Sequence, residues 1–186
     1  MSGSPQPIRQ IDISVARPFR QEISESWLRK VLEAGLEAAL PGDEPAQVSL
    51  MVADDATVRE LNRRFRGLDE VTDVLSFSAS HPGHWAGESP EPGDRFIEFE
   101  DSGPLPFVLP PGEPPPLGEV IVSFPQTKRQ ALDRNCPVDQ ELALLIVHGV
   151  LHLVGYDHME PEDTAQMQTK ERSALAAVSQ IEANIS

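Results

Sequence analysis

Ten of the eighteen prolines fall between residues 80 and 116, among many glycines and acids. Such a stretch neither packs a core nor holds regular helix, because proline fixes φ and removes a donor while charge keeps the chain solvated. The fold must therefore be built from the segments on either side. Residues 80–116 read as a long loop inserted in one domain that spans 1–186, a surface insertion first and a functional lid as the alternative. Phe96, Ile97, Phe99 and the run Phe107 to Leu109 are the points where it can be tacked to the body. With 186 residues, 39 % of them apolar, the chain can bury a core without disulfide or metal staples.

The flanking segments alternate in period. Ile11, Ile13 and Val15 alternate with Asp12 and Ser14, which predicts a half-buried strand. Ser24 is placed as a helix N-cap; Trp27, Leu28, Val31, Leu32, Leu36 and Leu40 follow at helical spacing, and Pro41-Gly42 stops them. Gln47 to Val52 reads as a second strand. A second helix starts at Asp54 or Asp55 and ends at Gly67. Val71 to Phe77 and Leu117 to Phe124 read as the third and fourth strands. The last third is helical: Gln126 to Asn135 after Pro125, then a helix with Pro137 at N1 that ends at Gly155, then Glu160 to Val178. The class is α+β, with a small, about four-stranded mixed sheet packed by helices.

The formal net charge is −15, which on its own argues against a nucleic-acid partner. The distribution is more permissive. Arg59, Arg63, Arg64 and Arg66 lie within eight residues that hold one acid, Glu60. A solvated helix face and a phosphate-tracking face are equally good accounts of that cluster. Cys136 is the one cysteine, so no intrachain disulfide can form, and the longest apolar run, Leu142 to Val147, is far too short for a bilayer. With no secretory signal in view, a cytoplasmic protein with no membrane partner is expected.

Three of the five histidines stand in the run from His148 to His158. His148 and His152, four apart on a helix, present their imidazoles on one face, one turn from each other. Gly155 allows the left-handed turn that brings His158 back to the same point. One histidine on an apolar helix is usually a buried side chain satisfied by hydrogen bonds. Three around a helix-ending glycine are hard to explain by packing, and they point to a metal ion, zinc, held by His148, His152 and His158 at the end of a C-terminal helix. Three nitrogens leave a fourth position for water, the open arrangement of catalytic zinc. Asp157 is the nearby carboxylate that would orient an imidazole. Zinc-dependent proteases carry a glutamate base directly after the first histidine; here Gly149 stands there, which counts against proteolysis.

The stretch His148-Gly149, Leu151-His152-Leu153, Gly155-Tyr156-Asp157-His158 resembles the signature of the YbeY family of bacterial endoribonucleases and rRNA maturation factors. Two further blocks share the resemblance: Leu61-Asn62 with Phe65-Arg66-Gly67 and Thr72 to Phe77, and Leu117 to Ser123, where Glu119 replaces the family's usual aspartate. It covers most of the chain except the proline-rich 80–116. The resemblance implies one zinc on His148, His152 and His158, with Arg66 needed for activity. It implies metal-dependent cleavage of single-stranded RNA, maturation of the 3′ end of 16S rRNA, and ribosome quality control. Its partners would be rRNA and the small ribosomal subunit or a ribosomal protein. A planar guanidinium at Arg66 suits a scissile phosphodiester, and Arg59, Arg63 and Arg64 would track the RNA backbone. The competing account is a non-catalytic ribosome-assembly factor with a structural zinc, whose acidic surface suits a basic protein.

Overall fold

A computed structural model describes residues 9–40, 42, 44–80, 113–156 and 161–183. Four strands form one mixed sheet: β1 (Arg9–Val15), β2 (Ala46–Ala53), β3 (Val74–Ser78) and β4 (Pro116–Ser123). Their spatial order is β1-β2-β4-β3, with β1, β2 and β4 parallel and β3 antiparallel at the edge. The helices among the described residues are α1 (Glu25–Ala39), α2 (Asp55–Arg66), α3 (Phe124–Arg134), α4 (Val138–Leu153) and α5 (Pro161–Ala183). The class is α+β, as the sequence predicts. No helix among the described residues is long and apolar enough to cross a membrane.

The two faces of the sheet are covered unequally. Val120 and Val122 of β4 point to the larger core, built with α1, α4 and α5, whereas Ile121 points to a smaller cluster with Leu75, Val58 and Ala53 under α2. Helix α4 buries Leu142, Leu145, Ile146, Val147, Val150, Leu151 and Leu153. At ~1.5–3 kcal/mol for each fully buried side chain, this one helix makes a large contribution to folding. That rigidity matters because the same helix carries His148 and His152.

Local chemistry sets the boundaries. Ser24 accepts from the Trp27 N–H and Asp54 from the Thr57 N–H, at 3.4 and 2.8 Å, as N-caps should. Hydrogen bonds from the Thr57 side chain and then its N–H hold the Asp54 carboxyl below its ordinary pKa. Gly67, at φ 71°, closes α2. Several expected limits shift. β3 begins at Val74, not Val71, and the Asp73 side chain sits at its start, Oδ1 accepting from the Val74 N–H at 2.8 Å and Oδ2 from Gln130 Nε2 at 2.9 Å. α3 begins at Phe124 and contains Pro125 in its first turn, where no amide donor is needed. Pro137 is the N-cap of α4 rather than its first residue. The inserted segment leaves after β3 and returns to β4, strands that pair directly: Ser78 sits opposite Gly118, and the Ala79 N–H bonds the Leu117 carbonyl at 2.9 Å. Pro116, expected as the last loop residue, already pairs with Gln47. Residues 81–112, with Phe96, Ile97, Phe99 and Phe107 to Leu109, lie outside the described residues.

Candidate functional site

The apolar face of α4 fixes where its histidines go. With Val147, Val150 and Leu151 buried, His148 and His152 emerge together at the helix margin. Their rings are 4.5 Å apart, centroid to centroid, and nearly perpendicular at 80°. The two Nε2 atoms face each other at 3.0 Å. On the far side of the ring, His148 Nδ1 lies 2.7 Å from Oε1 of Glu171, a mostly buried carboxylate on α5.

That contact sets the proton inventory. A carboxylate only accepts, so Nδ1 of His148 carries the hydrogen and Nε2 presents its lone pair toward His152. This is the second-layer arrangement that metal-bound imidazoles use. Two nitrogens bound tetrahedrally at ~2.0–2.1 Å from one zinc stand roughly 3.3 Å apart, close to the spacing observed. The pair therefore fits a zinc ion. His158 and Asp157 lie outside the described residues, and among the described residues no three His, Cys, Asp or Glu side chains stand together as a metal-holding group.

The chain's course beyond the pair is as the sequence predicts. Gly155, at φ 94°, sends its N–H to the His152 carbonyl at 3.0 Å, and the Tyr156 N–H reaches the Leu151 carbonyl at 3.1 Å. This is the paired bond pattern of a left-handed helix ending. Lys170 lies over the Tyr156 ring at 5.0 Å and donates to the Ala38 carbonyl at 2.7 Å, tying α5 to Tyr156 and to α1.

Gly149 has a purely steric reason. A Cβ there would stand 2.6 Å from Val120 Cγ1 and 3.1 Å from Ser76 Oγ. The position after His148 presses on the sheet and admits no side chain, so no general base of the protease kind fits. β3 is stitched to this part of α4: Ser76 Oγ donates to the Gly149 carbonyl at 3.2 Å and Ser78 Oγ to that of Leu153 at 2.9 Å.

Across β3, on the sheet's other face, α2 ends in its basic turn. Arg66 is half-buried as the last residue of α2. Buried Asn62 donates to the Glu70 carbonyl at 2.9 Å, tying α2 to the loop that follows Arg66. Arg59 bonds Asp69 through two nitrogens at 2.8 and 3.0 Å, and Arg63 grips Glu60 at 2.8–3.1 Å. Hydrogen bonding to Asp69 raises the Arg59 pKa, and to Glu60 that of Arg63. Such exposed pairs are worth little and exchange readily for a phosphate. Arg64 instead lies over the Phe65 ring, 5.4 Å from its centroid. Three arginines in the last turn also complement the helix dipole.

Sequence reasoning missed Glu171. It lies 23 positions from His148, yet it sits in the stripe Met167, Glu171, Ala174, Val178, whose apolar members are buried. A lone acid in an apolar stripe was the available signal.

The model of a known family, Endoribonuclease YbeY, matches residues 10–179. An endoribonuclease YbeY of Dehalococcoides mccartyi is 36 % identical over 172 residues, covering 92 % of this chain and 95 % of that protein. One from Symbiobacterium thermophilum is 39 % identical over 158 residues, covering 84 % and 88 %. The solution structure of TM1509 from Thermotoga maritima has a similar fold, at TM-score 0.56 and 22 % identity over 95 % of this chain and 93 % of that one.

Proposed function

This chain belongs to the YbeY family of endoribonucleases, and from that premise we propose that it cuts single-stranded RNA with a bound metal, matures the 3′ end of 16S rRNA and serves ribosome quality control. That it is an endoribonuclease, hydrolysing RNA, follows from its relatives. The single observation that supports metal-dependent chemistry is the convergence of His148 and His152 at 3.0 Å between Nε2 atoms, with Glu171 occupying the opposite nitrogen of His148.

His148 and His152, joined by His158, would hold one zinc. The ion, when bound, supplies electrophilic pull on a phosphodiester and an acidified water. Glu171 keeps the Nδ1 proton of His148 in place, and Asp157 is the second carboxylate at hand in the sequence. Arg66 binds the scissile phosphate with a fork that stays charged at any working pH. Arg59, Arg63 and Arg64 meet the flanking backbone. RNA affinity is then modest and salt-sensitive, since the rest of a chain of net charge −15 repels phosphate. The same acidity suits a basic ribosomal protein as the partner that delivers the small subunit in the cytoplasm.

Elemental analysis and a cleavage assay on a short single-stranded RNA test this together. Wild type is expected to hold about one zinc per chain and to cut. His152→Ala loses both properties, and Arg66→Glu keeps metal but not cleavage, all three remaining folded. Metal bound with no cleavage at any salt returns the zinc to a structural role. The ends of the cut RNA report the nucleophile: a 5′-phosphate means water, a 2′,3′-cyclic phosphate means the RNA's own 2′-hydroxyl.

A further inference from the structure

The large aromatic side chains are almost all sheltered among the described residues, and Phe65 is the exception at 56 % exposed. It leaves α2 between Arg64 and Arg66, and its ring meets Phe77 of β3 edge-on, at 5.1 Å and 63°. The contact anchors the ring on β3 while more than half of the residue stays exposed to solvent. The Arg64 guanidinium lies over that ring, so an aromatic surface and a cation are presented together. Leu68, just past the Gly67 cap, is also exposed, at 37 %.

Phe77 connects this surface to the histidines. Its neighbours Ser76 and Ser78 bond the carbonyls of Gly149 and Leu153, each the residue that follows a histidine of the pair. β3 is an edge strand, so Phe65 and the histidine-bearing turn of α4 are attached to the two faces of the same sheet edge. We propose that Phe65 is a stacking platform for one base of single-stranded RNA, offset from the cut bond, with Arg64 supplying a cation to the stacked base or its phosphate. This rests on the RNA-cutting reading for the nature of the ligand. The chemistry is sequence-tolerant, because every base offers a π-face. A cationic, aromatic, single-residue platform suits a flexible strand rather than a duplex, whose bases are already stacked.

The test uses the full chain and a non-cleavable 2′-O-methyl oligonucleotide, so that binding is read apart from cutting. Phe65→Ala is expected to weaken binding by roughly 5- to 100-fold, while Phe65→Trp binds at least as well as wild type and loses fluorescence on saturation. Abasic sites are then walked along the oligonucleotide. Wild type shows a penalty at one position, and Phe65→Ala abolishes that penalty, which a merely structural role would leave in place. Equal binding by wild type and Phe65→Ala, or an abasic penalty unchanged by the substitution, overturns the platform and leaves Phe65 a protein-docking residue. Wild type that binds through Phe65 but leaves cleavable RNA intact supports the platform and sinks the endoribonuclease reading instead.

Discussion

Helix α4 meets a sunken carboxylate near each end. At its start Glu141, 2 % exposed, accepts from Arg134 Nη1 at 2.7 Å and lies 3.8 Å from the Cys136 sulfur. Toward its end Glu171, 14 % exposed, accepts from His148 Nδ1. Both acids interrupt an apolar stripe, and both have a basic partner. The difference lies in what the partner has left over. Arg134 has no acceptor to offer, so the first pair closes on itself and fastens the turn around Asn135, which takes a left-handed φ of 52°. An imidazole has two nitrogens, so the second pair orients a ring whose other nitrogen remains a donor of electrons. A buried acid beside a guanidinium locks, whereas a buried acid beside an imidazole aims.

The sharpest way to break that contrast is to remove the neighbour toward which the His148 ring is aimed. His152→Ala is expected to abolish metal binding and RNA cleavage while leaving the thermal midpoint of the metal-free protein nearly unchanged; a collapsed fold would make the second pair a lock as well. Next in size, Arg134→Ala strands the Glu141 carboxylate. Because water reaches Arg134, the loss in urea denaturation should be about 2 kcal/mol, less than the ~3–5 kcal/mol of a pair dry on both sides. Metal affinity per folded molecule should stay put, and a tenfold drop would erase the distinction. Glu171→Ala is expected to do the reverse, lowering metal affinity ~10–100-fold with little change in stability. Glu171→Gln, which still accepts from Nδ1, should recover much of that loss.

The mildest effect is on Cys136. Burial first, then the charge and hydrogen bond of Glu141, push its thiol above the ordinary value, while Arg134 pulls it back. A raised pKa means that the folded chain holds the proton more tightly. The associated stability is complete below the ordinary thiol pKa and is lost as pH rises through the folded value. Alkylation by iodoacetamide should show a midpoint above that of a peptide thiol, and Arg134→Ala should move it higher still. An ordinary midpoint would show that the first pair does not reach the sulfur.

Periodicity made the elements legible because each has one buried face: Ile11, Ile13 and Val15 in β1, the Leu28 to Leu36 stripe in α1. Boundaries were less legible where a side chain competes with the backbone. Thr72 and Asp73 have strand-like neighbours, but the Asp73 side chain turns back onto the Val74 N–H and across to Gln130. The helix expected from Gln126 onward starts two residues earlier, because its first turn tolerates Pro125. Within the site, His148 and His152 were readable because i, i+4 spacing is local, and Gly155 because a turn after them demands it. Glu171 was not, since the contact of α5 with α4 is tertiary and no spacing rule reaches across it. Nor does any spacing rule reveal that Gly149 is there to let α4 press against Val120.

The two chain ends at the mouth of the β3–β4 hairpin are already held together by the ladder, down to the bond between Ala79 and Leu117. Whatever joins them therefore closes a loop whose ends the sheet has already brought together. Each doubling of such a loop costs only about 0.6 kcal/mol in closure entropy, a small fraction of a domain's stability. Length at this point is thus nearly neutral for folding, so descendants of one ancestor can drift there by tens of residues while the helix that carries the histidines stays fixed. For an engineer the same mouth is a natural splice point, where a tag, a sensor or a whole guest domain can be carried with little disturbance to the sheet.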